Sequence, residues 1–252
     1  MNTPRASLES LAETGILPLE ILHPGGLDTT RALLELCGVE RGGRVLDVAS
    51  GTGETASFMA DSLGARVVAI DVSARMIQRA RAKARARGVG GGIQLVRGDA
   101  HRLPLRDAVF DAAISECTLS LLDKRVALAE MARVVRPGGR VGVHEICWRE
   151  GAPEALRRRL VQLEGERPET LAGWQSLFER AGLRDVHVVD RSDLIPRWMR
   201  ESRRELGLGG YVRLAGRVLA RWGPRGLARV LASERLFGSR HMGYGIIVGT
   251  KP

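Results

Sequence analysis

Lysine is nearly missing from this chain: Lys83, Lys124 and Lys251 stand against 36 arginines. Cysteine is as scarce, with Cys37, Cys117 and Cys147 forming an odd, scattered set. Such a set excludes a disulfide framework, and its spacing has none of the pairs that ligate structural zinc. No apolar run approaches the ~18 residues of a membrane span. The N-terminus carries Glu9 and Glu13 where a signal peptide would need an apolar block, so a cytoplasmic protein is expected. Aromatic residues are only 4% of the chain, leaving few platforms on which nucleic-acid bases could stack.

What is present is a core-forming composition. With 252 residues, 44% of them hydrophobic, the chain can build one large α/β domain with a decorating subdomain. The organising stretch is Arg44-Val45-Leu46-Asp47-Val48-Ala49-Ser50-Gly51-Thr52-Gly53. Its apolar, β-branched start reads as a buried parallel strand, its Ser/Gly/Thr/Gly run as a tight turn, and Glu54 to Leu63 as a helix. The free N–H groups of that helix face whatever occupies the crevice, so this is a nucleotide-type binding turn.

Gly51-Thr52-Gly53-Glu54-Thr55-Ala56 fits the dinucleotide pattern G-x-G-x-x-A, a weak match by itself. Asp47, four residues before the first glycine, separates the ligand classes. A carboxylate there would repel a pyrophosphate and attract an ammonium or sulfonium. The D-x-x-x-G-x-G pattern resembles the first motif of class I S-adenosylmethionine (SAM)-dependent methyltransferases. The resemblance implies Asp47 near the methionine moiety of SAM and Gly51, Thr52 and Gly53 beneath it.

The chain continues as alternating strands and helices. Arg66–Asp71 is a second strand; Asp71 lies 18 residues beyond Gly53, near the spacing of a carboxylate that grips ribose hydroxyls. Ser73 caps a helix over 74–87 that Gly88 stops. By resemblance its Met76 touches the adenosine, although a core methionine reads almost as well. Ile93–Arg97 is a third strand, followed by Gly98-Asp99-Ala100, where an acid can accept from the adenine amine. Phe110–Glu116 is the fourth strand. A helix and Arg136-Pro137-Gly138-Gly139 then lead to a fifth strand over 140–146. Four blocks over 44–147 match the family. Together they predict a doubly wound, Rossmann-like, seven-stranded, mostly parallel sheet. Asp47, Asp71, Asp99 and Glu116 then share one crevice at the carboxyl ends of the strands.

Residues 1–43 read as a helical cap, with His23-Pro24-Gly25-Gly26 as a breaker and Asp28 or Thr29 available to cap the next helix. Helices follow over 154–164 and 170–182, then a sixth strand over 185–190 and a seventh over 244–249. The domain is thus expected at 44–192 plus 242–252, with a helical insertion or lid at 193–241. Eleven arginines against four acids give the insertion a net +7, a field that favours anionic partners.

Methyl transfer is an in-line displacement, so positioning dominates and few acid–base groups are required. Candidate catalytic residues are His144, Glu145 and Cys117; His23, Cys117, His144 and Trp148 are candidates for substrate contact, and no metal is expected. Ile114–Leu121 also looks like the corresponding stretch of arsenite methyltransferases, in which a cysteine binds arsenic. The first reading is methyl transfer to a small molecule. An arsenite or thiol methyltransferase using Cys117, an RNA methyltransferase using the arginine-rich insertion, and a non-catalytic SAM- or NAD-binding protein stand beside it.

Overall fold

Seven strands form one sheet in the order β3-β2-β1-β4-β5-β7-β6. The computed structural model describes residues 6–17 and 23–252. The strands are β1 (Arg44–Val48), β2 (Arg66–Asp71), β3 (Ile93–Arg97), β4 (Phe110–Glu116), β5 (Val135–Trp148), β6 (Arg184–Asp190) and β7 (Met242–Thr250). The pairs from β3 through to β5 are parallel; β7 runs antiparallel to both β5 and β6. Val45, Leu46, Asp47 and Val48 are all buried, as a central strand covered on both faces requires. The strand order reverses between β1 and β4, which opens a crevice at their carboxyl ends.

Eight helices flank the sheet among the described residues: α1 (Leu8–Thr14), α2 (Gly26–Leu36), α3 (Glu54–Leu63), α4 (Ala74–Ala86), α5 (Lys124–Val134), α6 (Glu154–Glu164), α7 (Leu171–Arg180) and α8 (Leu194–Phe237). One core cluster packs Met131, Val141, Trp174 and Phe178 on one side of the sheet; another packs Leu33, Val45, Met59 and Ile114 on the other. Ser73 caps α4, accepting from Met76 N as its sequence position predicts. Gly53 enters α3 at φ +75°, and a Cβ there would lie 2.7 Å from the Ala80 side chain. Only glycine lets this turn sit so close to α4.

Two local expectations are corrected. The cap of α2 is neither Asp28 nor Thr29: the helix begins at Gly26, behind a left-handed Gly25, and Thr29 Oγ1 donates to Pro24 O at 2.9 Å instead. The fifth strand starts at Val135 rather than Arg140. Phe110 pairs with Val135 and Ala112 with Arg140, so residues 136–139 bulge out of the ladder. A Cβ on Gly139 would meet Asp111 O at 2.6 Å, which explains glycine at that close approach.

Between β6 and β7 the chain is helical over Leu194–Phe237, and α8 bends at two glycines, Gly207 (φ 57°, ψ 176°) and Gly223 (φ 67°, ψ −171°). Leu11 of α1 and Leu17 just after it pack on Val218 of α8, while Leu194, Ile195, Leu236 and Phe237 pack with Tyr244 of β7. Among the described residues no helix is long and apolar enough to cross a membrane.

Candidate functional site

Strand ends bring the four expected acids onto the wall of one cavity of about 1080 Å³. Asp71, at the end of β2, accepts from Gly51 N at 2.9 Å through one oxygen and from Ser73 N at 2.8 Å through the other. It thus ties the turn after β1 to the turn after β2. Burial raises its carboxyl, against the two backbone N–H groups that lower it. Asp47 is 2% exposed, and its Oδ2 has no hydrogen-bond partner. Burial first, and then the charges of Glu116 and Asp71, push it well above the ordinary carboxylate range. An orphaned carboxylate oxygen among like charges calls for a cation or an N–H donor.

Asp99 lies at the exposed rim, taking His101 N at 2.9 Å and His101 Nδ1 at 2.7 Å. These bonds hold its carboxyl below the usual range. Ala100, Gly51, Thr52 and Met76 line the same cavity; Gly53 lies behind the turn, against α4. The residues present fit a ligand with a diol, an amine and a positive charge. Asp71 keeps lone pairs for hydroxyls, Asp99 is an exposed acceptor, and Asp47 lacks a partner.

Deeper, Glu116 collects four groups from α2, α3, β5 and the turn before α2. Its Oε1 accepts from Thr30 Oγ1 at 2.8 Å and lies 2.6 Å from His144 Nε2; its Oε2 accepts from Thr55 Oγ1 and sits 3.7 Å from His23 Nε2. Burial alone would raise this carboxyl. The charge and hydrogen bond of His144, then His23 and Thr55, hold it below the ordinary range. Tyr244 Oη lies 2.6 Å from His144 Nδ1, completing a Tyr244–His144–Glu116 chain across β7, β5 and β4. Burial, reinforced by His144, lowers His23 to about 4, so it is a neutral imidazole, and its Nδ1 has no hydrogen-bond partner. Each of His23, Glu116 and His144 offers a ligand atom within 4.8 Å of the others. Within the trio Glu116 and His144 are hydrogen-bonded, while His23 stands 3.7 Å from Glu116 without a hydrogen bond to either.

The remaining candidates divide by the alternation of β5. His144 is fully buried behind Glu116, and Ile146, two residues on, reaches the cavity. Glu145 points to the other face, where it accepts from Thr118 N (2.7 Å), Leu119 N (2.6 Å) and Ser120 Oγ (2.7 Å), clamping the turn after β4. Trp148 is 2% exposed and off the cavity wall, with the Arg157 guanidinium 5.8 Å over its ring. Cys117 does line the cavity, at φ 49°, with its Sγ 3.7 Å from His144 Nδ1. Burial and then Glu145 and Glu166 push its thiol well above the ordinary range. The three cysteines are free and pack in three separate clusters, so no pair of thiols converges on an arsenic(III) site.

Sequence reasoning passed over Thr30, Thr55 and Tyr244. A threonine on a helix or a tyrosine in an apolar strand carries no local mark of a partner many residues away. The charge expectation also reverses at the cavity. Ten carboxylates and three arginines line it, although the chain as a whole is formally +10. On α8, most arginines are exposed, and Arg197 and Arg203 pair with Glu201 and Glu234.

Residues 45–139 match a family described as a methyltransferase domain. An O-methyltransferase of Pyrenophora dematioidea is 29% identical over 245 residues, covering 89% of this chain and 82% of that protein. The SAM complex of phosphoethanolamine N-methyltransferase 2 from Haemonchus contortus shares the fold at a TM-score of 0.77 and 18% identity. That match covers 96% of this chain and 56% of the other. The crystal structure of the 4+2 cyclase SpnF is similar over 100% of this chain and 99% of that one, with 25% identity and a TM-score of 0.78.

Proposed function

Since the chain belongs to the class I SAM-dependent methyltransferases, we propose that it methylates a small molecule held beside the cofactor, in the cavity between the sheet and α8. The observation that carries this reading is the extent of that cavity. About 1080 Å³ runs from the acid-lined strand ends to an apolar wall of Leu11, Ile146, Val218 and Phe237. Ligand pockets span roughly 300–1,000 Å³, so there is room for an acceptor as well as the cofactor.

SAM, when bound, supplies an electrophilic methyl carbon on a sulfonium centre. In this reading Asp71 takes the ribose hydroxyls, Asp99 the adenine amine, and Asp47 the cationic end, with the backbone of Gly51–Gly53 beneath. Met76 and Ala100 flank the adenosine. Glu116 does not serve as a strong base: His144 keeps it ionised, and such a carboxylate accepts protons poorly. It holds Thr30, Thr55 and His144 in place instead. His23 presents a neutral imidazole to the acceptor space, and its unpartnered nitrogen suits a hydroxyl hydrogen. The main contribution of the chain is then positioning, together with exclusion of water by α8 and α1.

An RNA acceptor fits less well, because the cavity is rich in carboxylates and walled by apolar groups while the arginines face outward. The whole-length likeness to a 4+2 cyclase marks another use of this architecture, and label transfer separates the two. Incubation with methyl-tritiated SAM and a panel of apolar alcohols, phenols and amines should move label into a small product. Label reaching only RNA, or none reaching any acceptor, contradicts the proposal.

A further inference from the structure

Glu166, in the segment between α6 and α7, is a carboxylate that the methyl-transfer reading leaves unused. It lines the cavity, and its Oε2 is closed off from solvent without a hydrogen-bond partner. An oxygen in that setting is costly unless something donates to it. Two of the neighbouring acids are already satisfied by the chain: Glu164 accepts from Leu8 N at 2.7 Å and from Ser233 Oγ, and Glu145 clamps the turn at 118–120.

Cations of this part of the chain are directed elsewhere. Arg229 donates to the carbonyls of Ala6, Gln162 and Leu163, and Lys124 to Arg167 O, with Glu169 at 3.2 Å. The three arginines on the cavity wall also donate to carbonyls: Arg75 to Glu13 O, Arg79 to Ala12 O and Arg97 to Val72 O. Burial, followed by the charges of Glu164, Glu145 and Glu9, pushes the Glu166 carboxyl well above the ordinary range.

The wall of the cavity that Glu166 lines is mixed: Leu8, Ile146 and Phe237 supply apolar surface, Cys117 a neutral thiol, and Glu9 and Glu164 further acids, of which Cys117, Glu9 and Glu164 are near enough to interact electrostatically with Glu166. We propose that Glu166 is the docking point for a protonated amine carried by the methyl acceptor, whose apolar body packs along α8. An ammonium donates a charge-assisted hydrogen bond to Oε2 and turns local repulsion into attraction. The acceptor class is thereby narrowed to apolar amines, with the amine as the recognised group whether or not it is the atom methylated. This rests on the reading that the cavity holds a small acceptor beside the cofactor.

The test uses the full chain loaded with S-adenosylhomocysteine and three matched pairs of probes. These are 1-adamantylamine, cyclohexylmethylamine and 2-naphthylmethylamine, each beside the alcohol of the same skeleton, titrated calorimetrically. At least one amine should bind tenfold or more tighter than its alcohol. Glu166→Gln should erase that preference while leaving S-adenosylhomocysteine affinity and the melting temperature close to those of the unaltered chain. Equal binding of amines and alcohols, no binding of any amine, or a preference that survives Glu166→Gln overturns the proposal. Loss of S-adenosylhomocysteine binding in the unaltered chain would instead count against the cofactor reading, so the two failures are distinguishable.

Discussion

His144 Nε2 lies 2.6 Å from Glu116 Oε1, at a point where β5 and β4 run side by side with these two residues in register. The pair is buried, and Tyr244 engages the other imidazole nitrogen at 2.6 Å. Glu116→Ala removes the acceptor for Thr30, Thr55 and His144 together. It should destabilise the fold by about 3–5 kcal/mol, the usual effect of breaking a buried pair from one side. Glu116→Gln keeps one acceptor oxygen and should cost less. Urea unfolding of both variants checks this; an alanine variant within 1 kcal/mol of the unaltered chain, by that scale, contradicts it.

Acid stability should carry the signature of His23. Its ordinary value is 6.5 and its folded value about 4, because burial disfavours the cation. Between those two pH values the unfolded chain binds a proton that the folded chain does not. Stability therefore rises with pH across that window, by up to about 3 kcal/mol. Glu116 shifts in the same direction, and its contribution too is lost as pH falls. Its folded value is depressed, so its contribution persists through this window and fades only at lower pH. His23→Gln should flatten the slope of unfolding free energy between pH 4.5 and 6.5; an unchanged slope removes His23 from this role.

Cys117 should behave as a packed thiol. Burial pushes it far above the range where a thiolate forms near neutrality. Iodoacetamide at pH 8 should alkylate it much more slowly than free cysteine. Methyl transfer per folded molecule should survive Cys117→Ser, and arsenite should not be methylated. Rapid alkylation, or arsenite turnover lost in the serine variant, would revive the thiol-based reading.

The bends of α8 should be sensitive to any side chain. Gly207 and Gly223 hold backbone angles essentially confined to glycine, and a Cβ at either would meet no atom within 4 Å. The cost of alanine is therefore backbone strain, about 1–3 kcal/mol at each position. Straightening α8 should also raise KM for the acceptor more than KM for SAM. Gly216, with no positive φ and an open Cβ position, is the control: alanine there should stabilise by up to about 1 kcal/mol. Thermal melts and steady-state kinetics of the three variants decide the matter.

Much of this architecture is written locally. Val45–Val48 and, apart from a half-buried Val68, Val67–Ile70 are buried and show as short apolar runs, each ended by its turn chemistry. The expected strand ends therefore brought Asp47, Asp71, Asp99 and Glu116 to one cavity. The bends of α8 are marked in the sequence, by Gly207-Leu208-Gly209-Gly210 and by Gly223-Pro224, although the run around them reads only as an amphipathic helical face. By contrast, Thr30 and Tyr244 reach Glu116 or His144 across 86 and 100 residues, a relationship no local pattern encodes. Glu145 and Trp148 were expected beside the substrate, but Glu145 takes the face of β5 opposite to Ile146 and Trp148 is buried off the cavity wall. Cavity charge was equally illegible: net +10 describes the exterior, whereas the interior gathers carboxylates from seven separate stretches of chain.

If the acid-lined end of this cavity holds the cofactor, Asp71 is its anchor. Asp71→Ala should weaken S-adenosylhomocysteine binding in titration calorimetry by about 1–3 kcal/mol, roughly 5- to 150-fold, through loss of a charge-assisted hydrogen bond. An Asp71→Ala protein that is folded and binds S-adenosylhomocysteine as tightly as the unaltered chain would contradict that assignment.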